Sequence, residues 1–132
     1  MAHELKLRVY YEDTDAGGVV YHARYIAFAE RGRTEMLRDA GFEHAKLLHE
    51  GGVAFAVVAL SINYKAPAKL DDELVVKSWI TRVGGASMEM QQEIFKDDRL
   101  LTDLKVTLVC VDGSFKAVRL PPEIRKIFDS KT

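Results

Sequence analysis

The sequence predicts an α+β protein, an antiparallel sheet of five or six strands packed around one long helix. Three observations carry this. One short alternating segment comes first, a single long helical pattern follows, and the rest of the chain is a run of four or five strand-like segments. Segregated helix and strands are the α+β pattern, not the strict alternation of a parallel sheet. The late segments are joined by short links, which favour antiparallel pairing.

Each element has its own signal. In "LKLRVYY" the apolar residues Leu5, Leu7 and Val9 alternate with polar ones, as in a half-buried strand. The loop "DTDAGGVVYH", residues 13–22, ends it. From Arg24 to Ala40 the period changes, and Tyr25, Phe28, Ala29, Gly32, Met36 and Ala40 form one stripe at helical spacing. Arg24, Arg31 and Arg38 mark a solvated face, with Arg31 and Glu35 placed to pair. Gly41 is a stop signal. Gly32 inside the stripe costs about 1 kcal/mol relative to alanine, and the expected return is close approach of another backbone. "EHAKLLHE" reads as a short second helix closed by Gly51-Gly52. "FAVVALSINYKAP" is a long strand stopped by Pro67, and "DELVVKSWITRVGG" starts after a turn at Asp71-Asp72. "SMEMQQEIFKDD" alternates through Met88, Met90, Gln92 and Ile94, and "LLTDLKVTLVCVDG" through Leu104, Val106, Leu108 and Cys110. "FKAVRL" is read as a short final strand, and "PEIRKIF" as a terminal helical turn or two.

Composition limits the function. The chain of 132 residues is expected to form one domain, 1–132. With 19 basic and 20 acidic residues there is no global field to attract nucleic acid or anionic membrane. The single Cys110 excludes an internal disulfide framework and suits a reducing cytoplasm. The first residues lack the apolar run of a signal peptide, and no window approaches the ~20 apolar residues of a membrane span. His44 and His49 are five apart, not the four of a zinc-binding helix pair, and no metal or other cofactor is expected. In "FAVVAL" six consecutive residues are apolar. One helix covers one face of a strand, so a second subunit is the expected cover for the other.

The segment "YYEDTDAGGVVYHARYIAFAERGRTEML" resembles the signature of the 4-hydroxybenzoyl-CoA thioesterase family of hot-dog folds, and most closely its Tol–Pal-associated acyl-CoA thioesterase branch. The matching positions are Asp15, Ala16, Gly17, Gly18, Val19, Val20, Tyr21, His22, Glu30, Arg31, Arg33 and Glu35. "SINYKAPAKLDDELVV" also resembles the branch, and the order of elements agrees to the C-terminus. The resemblance implies hydrolysis of acyl-CoA, or of a thioester on acyl carrier protein, by a dimer or tetramer with sites between subunits.

Thioester hydrolysis needs a base or nucleophile beside the carbonyl carbon and donors where its oxygen gains charge. The resemblance assigns the first role to Asp15, as nucleophile or general base, and makes the backbone N–H near His22 the main donor. A helix start suits that donor role, because its first N–H groups lack intrahelical partners and sit at the positive end of the dipole. Gly17 and Gly18 let the loop turn sharply and leave room for substrate beside Val19 and Tyr21. The plainer reading of Asp15 is a helix or turn cap. Asp13 is read as structural, holding the loop through side-chain to backbone bonds. The His22 ring either orients Asp15 or a water, or is a polar group at a helix start. Glu30 and Arg33 are read as a structural pair, with Glu30 the runner-up acid. Cys110, Trp79 and the methionines are read as core or interface. For the phosphates of coenzyme A, Lys65 and Arg82 are the leading candidates, with Lys69 and Arg119 behind them. Two other functions stay open. One is a hot-dog dehydratase or hydratase. The other is a non-catalytic binding module or envelope-complex scaffold.

Overall fold

A computed structural model describes residues 2–129. Its elements in chain order are β1 (His3–Arg8), a single 3-10 turn (Tyr11–Asp13), α1 (Arg24–Asp39), α2 (His44–Gly51), β2 (Ala54–Tyr64), β3 (Glu73–Val83), β4 (Ser87–Lys96), β5 (Arg99–Val111) and α3 (Pro122–Asp129). The strands form one sheet in the order β1-β3-β4-β5-β2, and every pairing is antiparallel. This is the expected architecture, with five strands.

The sheet works because its alternation has one phase across three neighbours. Leu74, Val76, Ser78 and Ile80 on β3, Met88, Met90, Gln92 and Ile94 on β4, and Leu104, Val106, Leu108 and Cys110 on β5 are all buried. Helix α1 packs over this surface through Tyr25, Phe28, Ala29, Gly32, Arg33 and Leu37. The stripe therefore includes Arg33 and Leu37, while Met36 and Ala40 are only partly buried. Gly32 sits closest to the sheet. A Cβ there would lie 2.7 Å from Val76 Cγ1, 3.1 Å from Ser78 Oγ and 3.2 Å from Gln92 Nε2. The approaching groups are strand side chains, not the backbone that the sequence suggested.

One buried amide fastens helix to sheet. Gln92 Nε2 donates to the Ala29 carbonyl and to Ser78 Oγ, both at 2.8 Å, and Gln92 Oε1 accepts from Arg33 Nη1 at 3.0 Å. The polar faces of α1 also depart from expectation. Glu35 pairs with Arg38, not Arg31, and Arg31 lies over the Phe28 ring. Among the described residues Glu30 and Arg33 form no ion pair.

The segment read as a final strand is not one. Only an isolated bridge joins Ala117 to Val111. Asp112 gathers the Ser114 and Lys116 amides into a tight turn with Phe115 at positive φ, and the Leu120 amide goes to the Gly85 carbonyl instead of a ladder. After Pro121-Pro122, α3 docks through the fully buried Ile124 and Phe128.

Strand β2 is an edge, and Val57 and Val58 on it are 46% and 59% exposed. Its register against β5 jumps from Val57 to Ala59, so Val58 is the extra residue of a bulge. Among the described residues no helix is long and apolar enough to cross a membrane.

Candidate active site

The loop between β1 and α1 is shaped by Asp13. This carboxylate is 3% exposed. Its Oδ2 accepts the Tyr10 amide at 2.8 Å, and its Oδ1 accepts Arg24 Nε at 2.9 Å and lies 2.6 Å from Arg24 Nη2. Its carbonyl accepts the Tyr21 amide at 2.8 Å. Asp13 thus ties the entrance of the loop to its exit and to the first turn of α1. Arg24 is therefore the partner of a buried acid and not part of a solvated face.

Between these anchors the chain makes a miniature hairpin. Thr14 bridges Val20, the Asp15 amide donates to the Val19 carbonyl at 2.9 Å, and the Gly18 amide returns to the Asp15 carbonyl at 3.0 Å. Gly18 takes φ +82°, which only glycine adopts without strain. Asp15 Oδ1 accepts the Gly17 amide at 2.8 Å. Among the described residues Oδ2 has no partner, and the side chain is exposed. Asp15 caps this turn, not the helix.

Helix α1 in fact has no side-chain cap. Among the described residues the amides of His22 and Ala23 make no hydrogen bond. Their directions are nonetheless fixed. The Tyr21 carbonyl accepts the Arg24 amide at 2.8 Å, and the His22 carbonyl accepts the Tyr64 hydroxyl at 2.7 Å. In a planar trans peptide the N–H points opposite the C=O, so anchoring these two carbonyls aims the His22 and Ala23 amides. The His22 ring makes no hydrogen bond to Asp15 and packs on Tyr21 at 4.5 Å and Tyr64 at 6.4 Å between centroids.

Behind the helix start lies an open cavity of about 340 Å³, walled by His22, Tyr25, Tyr64, Lys65 and Pro67 among others. Tyr25 Oη accepts the Ala68 amide at 3.0 Å. Burial raises the Tyr25 hydroxyl, the Ala68 amide opposes this, and Tyr64, Asp72 and Asp15 add to the rise. Burial alone raises Tyr64. Both phenols are therefore neutral near pH 7. The stretch from Ala68 to Asp72 stitches the loop to the sheet: Val20 donates to Ala68, Val19 bridges Lys69, and Val9 exchanges bonds with Asp71 and Asp72. Asp72 holds this stretch by accepting the Lys69 amide at 2.8 Å and Lys96 Nζ at 3.0 Å. Burial pushes the Asp72 carboxyl up, but the Lys69 amide and the Lys96 ammonium outweigh it and hold it below its ordinary value.

Of the residues singled out from sequence, Asp15, Gly17, Gly18, Val19, Tyr21 and His22 share this one loop, and Lys65 reaches the same cavity. Arg82 does not. It lies nine positions along β3 from Glu73, about 30 Å of strand. Arg82 and Arg119 lie toward the turn around Gly85, whereas Lys65 and Lys69 are at the loop end of the same subunit. Tyr64, Tyr25, Arg24 and Asp72 were not singled out as site residues. A carboxylate with one unpaired oxygen and two unbonded amides of fixed direction on one loop are the groups required for attack on a carbonyl, or activation of water, and for holding a developing oxyanion. No group of three or more potential metal-ligating side chains is found among the described residues.

Comparison with known proteins bears on this geometry. Residues 17–102 match the family described as the thioesterase superfamily. The chain belongs to the thioesterase superfamily. The matched span begins two residues after Asp15, so it contains the glycine turn and the whole helix start. The thioesterase is 47% identical over 123 residues to the acyl-CoA thioesterase YbgC of Haemophilus influenzae, covering 92% of this chain and 90% of that protein. It is 51% identical over 120 residues to the acyl-CoA thioester hydrolase YbgC of Escherichia coli O6:H1, covering 89% of each. The crystal structure of a probable thioesterase from Bartonella henselae superposes with a TM-score of 0.89 at 42% identity, covering 92% of this chain and 100% of that one. The thioesterase therefore has the hot-dog architecture of its superfamily.

Proposed function

We propose that the thioesterase, a single domain over residues 1–132, hydrolyses acyl-CoA to a free acid and coenzyme A. The observation that carries this is the free Oδ2 of Asp15 on the same loop as the unbonded, directionally fixed amides of His22 and Ala23. The thioester carbonyl oxygen lies on those amides and its carbon faces Asp15. In one route Asp15 attacks, the thiolate leaves, and water hydrolyses the resulting mixed anhydride. In the other, Asp15 takes a proton from water, the hydroxide adds to the carbonyl, and the thiolate leaves and is protonated. Gly17 and Gly18 give clearance, and Val19 and Tyr21 flank the acyl group. The His22 ring acts by packing on the tyrosines.

The motif from Asp15 to Glu35 supports the 4-hydroxybenzoyl-CoA type and its Tol–Pal-associated branch. Lys65 suits a phosphate of the same subunit's ligand. Arg82 suits one only if a partner copy supplies it, which agrees with a homodimer, or a dimer of dimers, joined through β2. The carrier is coenzyme A or acyl carrier protein, since both present the same phosphopantetheine thioester. A reducing cytoplasm suits the lone, buried Cys110.

A thiol-release assay over short, long and aromatic acyl-CoA substrates is the test. Multiple turnovers of coenzyme A release, unchanged after dialysis against a chelator, are expected. Binding without release would favour a non-catalytic module or scaffold. Water addition or loss with the thioester intact would favour a hydratase or dehydratase.

A further inference from the structure

A second cavity, of about 180 Å³, lies away from the Asp15 loop, between α1, α2, β2, β4 and β5. No residue of that loop lines it. Its walls are mainly apolar, with Leu37, Phe55, Met88, Met90 and Leu108 prominent, and it has few polar groups: Glu30, Arg33 and Thr34 on α1, and His44 on α2.

Arg33 is the exceptional member. It is 9% exposed. A guanidinium carries five N–H donors, yet among the described residues Arg33 makes one hydrogen bond, to the neutral Gln92 Oε1 at 3.0 Å, and no ion pair. Gln92 commits its amide nitrogen elsewhere, to Ala29 and Ser78. The remaining nitrogens of Arg33 are not sealed from solvent, so their donors open on the cavity that Arg33 lines. Burial pushes the Arg33 guanidinium down, with Glu30 pulling the other way, and an arginine stays charged regardless. The fold thus holds a cation with donors to spare in an apolar cavity.

We propose that this cavity binds a compact apolar carboxylic acid, its carboxylate on Arg33 and its body against Leu37, Phe55, Met88 and Met90. A carboxylate matches the planar fork of a guanidinium and forms charge-assisted bonds with it. A cavity of about 150 Å³ holds benzene, so one ring or a chain of about six to eight carbons fits here. The other titratable groups at the cavity permit an anion. Glu30 is exposed, so water and salt screen its repulsion. Burial, with Arg33 and Arg38, keeps the His44 imidazole low against the pull of Glu30, so near pH 7 it is neutral. Such acids are the class that thioester hydrolysis releases, although their binding here does not depend on that activity.

The test is titration of the full-length protein with benzoate and hexanoate against the neutral benzyl alcohol and hexan-1-ol. Calorimetry gives affinity and methionine-methyl NMR gives location. The acids should bind at least about 10-fold more tightly than the alcohols, as expected when one charge-assisted contact is added. They should shift the Met88 and Met90 methyls. Arg33→Met should remove the preference for acid, Arg33→Lys should weaken it, and Asp15→Asn should leave it intact. Equal affinity for acid and alcohol, absence of shifts at Met88 and Met90, or an acid preference that survives in folded Arg33→Met would each overturn the assignment. If Arg33→Met does not fold, the acid–alcohol comparison and the methyl shifts on the unsubstituted protein still decide it.

Discussion

Asp13 and Asp15 are two carboxylates two positions apart with opposite fates. Asp13 is buried and fully used, by the Tyr10 amide and by Arg24. Asp15 is exposed, with one oxygen spent on Gly17 and the other free. Exchanging Asp15 for Asn keeps an oxygen for the Gly17 amide and removes the charge. Asp15→Asn should therefore keep its fold by circular dichroism while kcat for thiol release drops at least about 100-fold. Near-normal turnover would reduce Asp15 to a turn former and leave Glu30 as the next acid to test. The loop was legible at this scale because an acid, two glycines and a helix start are contiguous in sequence. Arg24 and Tyr64 were not. Arg24 is 11 residues from Asp13, and its seven-residue spacing with Arg31 and Arg38 imitates a solvated face. Tyr64 is 42 residues from His22, and their contact follows from how β2 lies against the helix start.

At the scale of elements, the contact between α1 and the sheet is set by what fits under Gly32. Alanine raises intrinsic helix stability by about 1 kcal/mol. Here its Cβ would meet Val76 Cγ1 at 2.7 Å, inside contact distance. Overpacking of this kind typically costs about 1–3 kcal/mol. Gly32→Ala should lower the urea midpoint despite the gain in propensity, and a raised midpoint would show that the helix can lift freely. The start of β3 gives a pH-dependent counterpart. Asp72 is held below its ordinary value, so the folded state binds fewer protons there than the unfolded one. Its contribution is present above the unfolded value of 3.8 and is lost as pH falls through the lower folded value. Asp72→Ala should cost about 1–2 kcal/mol near pH 7 by chemical denaturation, and the gap from the unsubstituted protein should close as pH falls below the unfolded value of 3.8. An unchanged gap would mean that its charge is not what counts. The long alternating strands and α1 were readable from periodicity, since each buries one continuous face. Residues 115–120 were not, because the Asp112 carboxylate and the Gly85 carbonyl, which no local pattern announces, take the Lys116 and Leu120 amides that a strand would need.

For the whole molecule, the order β1-β3-β4-β5-β2 leaves two edges. If two copies join at β2, Val58→Lys should shift the species seen by sedimentation at low micromolar concentration toward monomer. Activity should fall with it if Arg82 serves the neighbouring site. A Val58→Lys protein that sediments like the parent would place the contact elsewhere. The six apolar residues from Phe55 to Leu60 made β2 suspect from sequence, but the bulge at Val58 could not be foreseen, since it depends on register against β5. The bulge also bears on how far such assembly can run. Sheets with two similar flat edges polymerise end to end, as amyloid does. Here one edge is apolar and kinked at Val58, while the other presents the exposed Glu4, Lys6 and Arg8. A pair formed at β2 about a two-fold axis would use up that edge in both copies and would be closed by symmetry. The exposed valines that would take one neighbour would then be covered in both copies, leaving no apolar edge for a third.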